Sequence, residues 1–278
     1  MRAALVQLNV SDDPAENLPV TMGYVEQAAS AGAEFVLTPE VTNCVSASRD
    51  RQNEVLQTEA EDQTLSALRE QAAGLGIWLL IGSLALRTND ADGRFANRSF
   101  LIGPDGGIVA RYDKIHMFDV DVSEAESYRE SAGYRPGTSS VLARTPFGRI
   151  GMTICYDLRF PHLYRHLALA GAEILTVPSA FSQVTGAAHW EALLRARAIE
   201  TGSFVLAPAQ TGIHASKQCT SRRTYGHSMA IGPWGDILAD GGTQPGIVYV
   251  DLDLSQVTTA RQRIPSLYAT TEFDGPNE

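Results

Sequence analysis

The stretch Gly32-Ala-Glu-Phe-Val-Leu-Thr-Pro-Glu40 decides the fold, because it occurs a second time, slightly altered, as Gly171-Ala-Glu-Ile-Leu-Thr-Val-Pro-Ser179. Each copy contains a short apolar run that is typical of a buried strand. Each copy also follows an alanine-rich helical stretch, and that stretch follows a short strand, at residues 3–10 and 150–155. The repeat therefore predicts two similar halves.

A second pair of similar segments extends the repeat. Leu101-Ile-Gly-Pro-Asp-Gly-Gly-Ile-Val109 resembles Ala230-Ile-Gly-Pro-Trp-Gly-Asp-Ile-Leu238, and in both the Gly and Pro residues supply the turn of a β-hairpin. Each half then reads as strand, helix, strand, helix, strand and hairpin, which predicts a partly parallel sheet with antiparallel strands added. The predicted helices cover residues 17–31, 62–75, 161–170 and 187–202.

Two similar sheets can bury their helix-free faces by packing against each other, with the helices outside. We therefore predict an α/β fold, a four-layer α-β-β-α sandwich with two pseudo-symmetric halves. No linker rich in Pro, Ser or Gly separates the halves, so we expect a single domain over residues 1–278. A loop is predicted at 133–140, preceded by a polar stretch at 119–131, and a second polar loop is predicted at 212–224. Residues 267–278 read as a C-terminal arm that packs on a partner chain.

Charge and composition exclude several kinds of partner. The formal net charge is -10 and no basic run occurs, which argues against a nucleic acid or an anionic membrane surface. No window approaches the roughly 18 apolar residues of a membrane span. The three cysteines form no CxxC pair, which favours a reducing compartment, and we expect a cytoplasmic protein.

Cys155 is the candidate nucleophile. It ends the predicted strand Ile150-Gly-Met-Thr-Ile154 and precedes a helix predicted from Pro161, whereas Cys44 and Cys219 lie in loop-like sequence. A free cysteine is most often a small buried hydrophobic residue. A thiol near a helix start and a cation, however, is expected to have a lowered pKa and to form a thiolate readily.

Glu40 and Lys114 are the candidate base and cation. Glu40 ends an apolar run, and Ser179 occupies its position in the other half, as expected if one half alone retained a functional carboxylate. Burial should raise its pKa and suit it to proton transfer. Lys114 precedes the apolar Ile115, so its ammonium is expected to point inward and stabilise an oxyanion. The alternative for both is an ordinary solvated surface side chain.

Motifs for phosphate, dinucleotide or metal binding are absent from the sequence. His162 and His166 are four residues apart on one predicted helix, but no carboxylate cluster accompanies them, so we interpret them as surface residues. We expect neither a metal nor a cofactor.

With these residues in view, the chain resembles the nitrilase superfamily of carbon–nitrogen hydrolases over nearly its full length. The resemblance rests on Glu40, on Lys114 in an Asp-Lys-Ile-His run, and on Cys155 in Cys-Tyr-Asp-x-Arg-Phe-Pro. Segments such as Leu194-Arg-Ala-Arg-Ala-Ile-Glu200 and Tyr225-Gly-His-Ser-Met229 resemble the deaminated glutathione amidase branch most, with the omega-amidase branch as its neighbour.

The resemblance implies a second glutamate six residues before a Pro-Gly, which maps to Glu130, with Glu124 and Glu126 as rivals. It also implies a homodimer whose interface uses the helix after Cys155 and the C-terminal arm. Its small-molecule amide substrates carry a carboxylate, so a cation is needed in the pocket.

Arg159 is the first candidate for that cation. Arg197 is the second, although it could instead pair with Glu200 or Glu191. Tyr128, Phe181 and Gln210 are candidate pocket walls, with ordinary packing as the alternative.

The mechanism that follows is hydrolysis of a carboxamide through a thioester. Glu40 takes the thiol proton, Lys114 and the backbone N–H of Tyr156 hold the oxyanion, and Glu130 orients Lys114 or water. The alternatives are an omega-amidase acting on 2-oxoglutaramate or 2-oxosuccinamate, an enzyme that uses the thioester for a nitrile or an acyl transfer, and a catalytically silent binding module.

Overall fold

In the computed structural model, the described residues are 1–123, 126–217, 222–269 and 274–275. The α-helices begin at polar or proline positions typical of helix starts. Asp13 caps the first helix by accepting a hydrogen bond from Ala15 N–H at 3.0 Å, and Gly202 ends the fifth in the left-handed conformation. The helices are α1 (Pro14–Ser30), α2 (Arg49–Val55), α3 (Gln63–Leu75), α4 (Pro161–Leu169), α5 (Gln183–Thr201) and α6 (Ser255–Arg263).

The strands in the first half of the chain are β1 (Arg2–Gln7), β2 (Phe35–Leu37), β3 (Trp78–Leu86), β4 (Ala96–Ile102), β5 (Ile108–Asp113), β6 (Asp119–Ser123) and β7 (Glu126–Arg129). Those in the second half are β8 (Val141–Thr145), β9 (Gly148–Met152), β10 (Ile174–Thr176), β11 (Phe204–Ala207), β12 (Thr211–Ile213), β13 (Arg223–Tyr225), β14 (Met229–Ile231), β15 (Ile237–Asp240) and β16 (Gly246–Asp251). Short 3-10 helices cover Glu130–Ala132, Cys155–Arg159 and Pro265–Tyr268.

Twelve of the described strands form two six-stranded sheets with related topologies, and β6-β7 and β12-β13 form two-stranded sheets. The spatial orders are β16-β1-β2-β3-β4-β5 and β15-β14-β11-β10-β9-β8. β1, β2 and β3 are parallel, as are β9, β10 and β11, and a hairpin follows each set. The two copies of the repeated stretch form the central strands β2 and β10, so the predicted pseudo-symmetry is confirmed.

The layer order follows from the alternation of side chains along the strands. Leu5 and Leu37 share a core with Ile150 and Met152 of the other sheet. The strand residues whose side chains point to the opposite face of the sheet, such as Val36, pack with residues of α1 and α3 in a second core. The helices α4 and α5 pack on the second sheet. The predicted α-β-β-α sandwich is therefore confirmed.

Gly82 lies at a close approach of the two halves. A Cβ atom there would lie 2.0 Å from Thr38 O and 2.5 Å from Pro178 Cβ, so only glycine fits. Thr38 and Pro178 lie just beyond the ends of β2 and β10, and this contact brings the two repeated stretches together. Residues from both halves can therefore meet beside it.

Some elements differ from the sequence-based expectations. α1 and α5 begin three and four residues earlier than predicted (at Pro14 rather than 17, and Gln183 rather than 187), and α2 and α6 were not predicted. The predicted polar stretch at 119–131 contains the paired strands β6 and β7, and the ends of the loop predicted at 212–224 pair as β12 and β13. Most of the predicted C-terminal arm lies outside the described residues. No helix in the described part of the chain is long and apolar enough to span a bilayer.

Candidate active site

The side chains of Glu40, Lys114 and Glu130 meet at the close approach of the two halves. Lys114 Nζ donates to Glu40 Oε1 at 2.9 Å and to both carboxylate oxygens of Glu130, at 2.9 and 2.8 Å. The thiol of Cys155 lies near enough to Glu40 and Lys114 for both charges to act on its pKa. The sequence-predicted trio and the mapped second glutamate therefore share one buried site.

The ends of strands place these side chains. Glu40 follows β2 by three residues, Lys114 directly follows β5, and Cys155 begins the 3-10 helix that comes after β9. Cys155 has φ of +47°, a left-handed conformation that is uncommon for a residue with a side chain. Its N–H donates to Pro178 O at 3.0 Å, which fixes the turn against the second copy of the repeat.

Glu40 is held as a carboxylate from several sides. Asn97 Nδ2 donates to Oε1 at 2.9 Å, and Ala180 N–H donates to Oε2 at 2.8 Å. Burial raises the pKa of Glu40, but the charges of Lys114 and Arg222 outweigh it and hold the pKa below its ordinary value. The expected upward shift is therefore wrong in direction, because the adjacent ammonium favours the charged form more than burial disfavours it.

Lys114 remains an ammonium. Burial alone would lower its pKa, but the charges of Glu130 and Glu40 raise it well above the ordinary value. Its three N–H donors are directed at carboxylate oxygens, so its charge is compensated twice over. Lys114 therefore offsets the charge of both carboxylates, and Arg222 adds a second positive charge that acts on Glu40.

Cys155 is a thiol in the resting site. Burial raises its pKa first, the charge of Glu40 raises it further, and Lys114 only partly opposes them. The expected lowering of the pKa is wrong, because burial of the thiol and the negative charge of Glu40 together outweigh the influence of the nearby helix start. A base must therefore remove the thiol proton before the sulfur can attack.

Glu130 is the second glutamate that the structure brings to the site. Its Oε2 also accepts a hydrogen bond from Phe118 N–H at 2.6 Å, which fixes the carboxylate beside Lys114. Of its rivals, Glu124 lies outside the described residues, and Glu126 is on β7 with a side chain outside the description.

A cavity of about 470 Å³ opens onto Glu40, Lys114 and Glu130. Cys155 is not a wall residue and lies behind the wall, where the charge of Glu40 acts on its thiol. Most of the remaining wall comes from the segment after Glu40, the β6–β7 region and the loop before β13: Val41, Cys44, Val45, Ser46, Ala47, Gln52, Asn97, Phe118, Ser127, Tyr128, Arg129, Gly133, Tyr134 and Arg222.

The predicted substrate-binding residues occupy different places. Tyr128 lines the cavity, with its ring 4.9 Å from that of Phe118. Arg159 lies beside the nucleophile turn, where its guanidinium approaches His189 Nδ1 at 3.3 Å and lies over the ring of Phe181 at 5.4 Å. Phe181 is buried and also packs on Trp190, at 4.9 Å between ring centroids.

Two predicted residues serve the framework instead. Arg197 is buried, donates to Leu158 O at 2.9 Å and pairs with Glu200 at 2.8 Å, so its place is structural, as the alternative anticipated. Gln210 is fully buried and donates to the backbone oxygen of Glu40 at 3.1 Å. It supports Glu40 from behind and forms no pocket wall.

Sequence reasoning missed Asn97 and Arg222. Asn97 lies on β4 and donates to Glu40, and more weakly to Glu130 at 3.4 Å. Arg222 lines the cavity from a segment that reads as an ordinary polar loop. Neither residue lies in a motif, and only the pairing of strands across the site reveals them.

Within the described ranges, no group of three His, Cys, Asp or Glu side chains is arranged to hold a metal ion.

Known proteins resemble this fold and site. Deaminated glutathione amidase of Yersinia enterocolitica is 39% identical over 265 residues, which cover 95% of this chain and 91% of that protein. Omega-amidase NIT2 of Homo sapiens is 36% identical over 264 residues, covering 95% and 92%. The crystal structure of the C. elegans NitFhit protein superposes with a TM-score of 0.87 at 35% identity, over 95% of this chain and 63% of that one.

The chain belongs to the carbon–nitrogen hydrolase family, whose pattern it matches over residues 2–262. The predicted resemblance is thereby confirmed. The protein is an enzyme of the amidase class within the nitrilase superfamily.

Proposed function

We propose that the protein hydrolyses the carboxamide of a small carboxylate-bearing substrate through a thioester on Cys155, in the manner of a deaminated glutathione amidase. The observation that carries the proposal is that Glu40 is ion-paired with Lys114 at 2.9 Å and lies near enough to the Cys155 thiol to act on its pKa. A base, a nucleophile and a cation gathered in one buried site are the groups that acyl transfer requires.

In the first step Glu40 accepts the thiol proton while Cys155 Sγ attacks the amide carbon. The raised pKa of the thiol makes this proton transfer necessary, and the carboxylate state of Glu40 makes it available. The carbonyl oxygen becomes an oxyanion, which Lys114 stabilises together with the backbone N–H of Tyr156. The first N–H groups of a helical turn have no partner within it, so the Tyr156 N–H suits this use.

In the second step Glu40 gives the proton to the amide nitrogen, the C–N bond breaks, and an amine or ammonia leaves. Glu40 then accepts a proton from water, whose oxygen attacks the thioester carbon, and Cys155 leaves and recovers its proton. Glu130 acts as a positioning residue that holds Lys114 throughout. Apart from the substrate and one water molecule, these steps use only groups of the chain itself.

The substrate proposal rests on the similarity to deaminated glutathione amidases, with Arg159 as the cation for a carboxylate on the acyl side. Omega-amidase activity on 2-oxoglutaramate or 2-oxosuccinamate is the alternative, since the human omega-amidase is nearly as similar. A third possibility is that the thioester serves another carbon–nitrogen substrate. A panel of amides and a nitrile distinguishes the three.

We also propose a cytoplasmic homodimer built from a single catalytic domain over residues 1–278. Because the site draws residues from both halves, neither half would act alone. Exposed apolar side chains on and near the second layer of helices support a partner surface, and these are Leu169, Ile199, Trp234, Ile264 and Tyr268. Light scattering that gives the mass of one chain would contradict the dimer.

The test of function is a panel of amides scored for product acid and for amine or ammonia. It contains deaminated glutathione, 2-oxoglutaramate, 2-oxosuccinamate and a nitrile with the same acyl part. We expect the highest kcat/KM for deaminated glutathione and an acyl adduct on Cys155 in intact-mass spectra. Cys44→Ser is compared with Cys155→Ser, because it makes the same thiol-to-hydroxyl change at a buried residue of the cavity wall that takes no part in the proposed chemistry. Full amidase activity in Cys155→Ser would contradict the mechanism.

A further inference from the structure

We propose that Ser83 is a positioning residue for the reaction, because it holds the backbone on both sides of Glu40 and so keeps the carboxylate of this base in place. The inference rests on the proposed role of Glu40, and it adds a fully buried residue to those on which turnover depends. Its basis is a set of hydrogen bonds from Ser83 to residues 39–42, together with a strained backbone at Val41.

The backbone directly after Glu40 is strained. Val41 has φ of +47°, a left-handed conformation that a residue with a β-branched side chain rarely adopts. Such a conformation persists only where the surrounding structure holds it, and it occurs most often at functional sites. Because Val41 is the next residue in the chain, a change in its φ would move the Glu40 carboxylate relative to the groups that it serves.

Ser83 supplies the hydrogen bonds that hold this conformation. Its hydroxyl oxygen accepts from Val41 N–H at 2.8 Å. Its own backbone N–H donates to Pro39 O at 3.2 Å, and its carbonyl oxygen accepts from Thr42 N–H at 2.9 Å. One residue is therefore bonded to the chain just before Glu40 and to both of the residues that follow it.

An irregularity in β3 brings Ser83 to this segment. The pairing of β3 with β4 shifts register between Ile81 and Leu84, so Gly82 and Ser83 lie in a bulge. Bulges redirect side chains and are frequent beside active sites. Gly82 permits the close approach, since a Cβ atom there would lie 2.5 Å from Pro39 O. The bulge thus places the Ser83 hydroxyl against the backbone that carries the base.

Loss of the hydroxyl should displace Glu40 without freeing it completely. Val41 is buried, so its N–H would lose its partner in a place that is shielded from water, and the strain in its φ would no longer be offset. The segment should then relax toward an unstrained conformation. Asn97 Nδ2 and Ala180 N–H still bind the carboxylate, so the loss of activity should be partial.

The first test is Ser83→Ala, with kinetics on deaminated glutathione. We expect kcat to fall about 10- to 30-fold with little change in KM, because the base moves while the cavity wall is retained. Ser99→Ala is the matched control, since Ser99 is also buried, lies on the paired strand β4, and donates its hydroxyl instead to Ile81 O at 3.2 Å. A wild-type kcat in Ser83→Ala, or equal losses in the two variants, overturns the inference.

A double-mutant cycle tests the role of strain. Glycine adopts a positive φ without steric cost, so Val41→Gly removes the strain that Ser83 opposes. In that background Ser83→Ala should lower kcat by no more than about threefold, and the cycle cancels the effect of Val41→Gly itself on the cavity wall. A loss as large as in the wild-type chain overturns the proposed role of Ser83.

Alkylation of Cys155 by iodoacetamide gives a readout that needs no substrate. Glu40 raises the pKa of this thiol, so its displacement should move the midpoint of the rate against pH downward in Ser83→Ala and leave it unchanged in Ser99→Ala. Each of these chains also carries Cys44→Ser, so that the other described free thiol does not react.

The two readouts separate this inference from the proposed function. An unshifted alkylation midpoint in Ser83→Ala overturns the inference even if no substrate is found. A shifted midpoint in an enzyme that cleaves no amide supports the inference and overturns the proposed function. If Ser83→Ala does not fold, Ser83→Cys must lower kcat at least about threefold, because a thiol is a weaker hydrogen-bond acceptor than a hydroxyl.

Discussion

Tyr112 Oη donates a hydrogen bond of 2.6 Å to Asp157 Oδ2 and so links the segment of the site cation to the segment of the nucleophile. Tyr112 lies two residues before Lys114, and Asp157 lies two residues after Cys155. The other oxygen of Asp157 accepts from His116 N–H at 3.0 Å, so the same carboxylate holds both sides of Lys114. It also accepts from Ile154 N–H at 2.9 Å, which braces the turn just before the nucleophile.

We expect Tyr112→Phe to lower kcat by about tenfold with little change in KM, because Lys114 and Cys155 lose a shared anchor without losing a substrate contact. Burial and the charge of Asp157 raise the pKa of Tyr112, so the phenol remains a donor at all working pH values. Steady-state kinetics with Tyr249→Phe, on the edge strand β16, serve as the control. Equal kcat in both variants would show that the link does not position the site.

Lys114→Ala should reduce kcat/KM by at least about 100-fold, because it removes an oxyanion donor and leaves two carboxylates unpaired. It should also lower the free energy of unfolding by about 3 to 5 kcal/mol, as expected when one partner of a buried ion pair is lost. Urea denaturation and kinetics measure the two effects separately.

The double variant Lys114→Ala/Glu130→Gln separates folding from chemistry. Removing one of the two carboxylate charges should restore part of the stability while leaving the enzyme inactive. Recovery of activity together with stability would mean that Lys114 acts only on the fold.

Glu40→Gln should lower the pKa of the Cys155 thiol while abolishing turnover. The carboxylate of Glu40 raises that pKa and Lys114 lowers it, so removing the negative charge leaves the ammonium unopposed. The alkylation rate with iodoacetamide, measured against pH, should have its midpoint at lower pH than in the wild type. Cys44→Ser is introduced into both the wild type and Glu40→Gln for this measurement, so that the other described free thiol does not react with iodoacetamide. A midpoint that moves upward would contradict the proposed charge balance.

Much of the catalytic site could be predicted because its residues stand at the ends of apolar runs. Glu40 and Cys155 each follow a buried strand, and the resemblance between the repeated stretches places those strands at equivalent positions in two sheets. The sequence therefore predicted the sandwich and the residues that meet in it. By contrast, α2 was missed because its seven residues are mostly polar and bury only Gln52.

What could not be predicted depends on contacts between layers. The spacing of Arg197 and Glu200 indicated an ion pair along one helix, but nothing in the sequence indicated that Arg197 is buried beneath the turn that carries Cys155. Arg222 stands in a polar loop, and nothing local indicates that its side chain reaches the cavity. The direction of the Cys155 pKa was misjudged for the same reason, since the local signal of a helix start is weaker than burial beside Glu40.

His214 should make the folded state less stable as the pH falls from about 6.5 toward 4. It is buried between the halves, where its Nδ1 bonds Val10 O and its Nε2 bonds Thr224 Oγ1, both at 2.7 Å. Burial lowers its pKa from 6.5 to about 4. In that window the unfolded chain binds a proton that the folded chain does not, so the free energy of unfolding decreases as the pH falls.

The difference in pKa corresponds to about 3 kcal/mol at the acid end of the window. In urea denaturation at pH 7 and pH 4.5, His214→Gln should therefore lose less stability than the wild type, by about 2 to 3 kcal/mol. Asp62, whose pKa is raised to about 6, acts in the opposite direction but is common to both proteins and cancels in the comparison. His166→Gln, at an exposed position on α4, should behave like the wild type, and an identical pH dependence in His214→Gln would show that this histidine is not the source of the acid sensitivity.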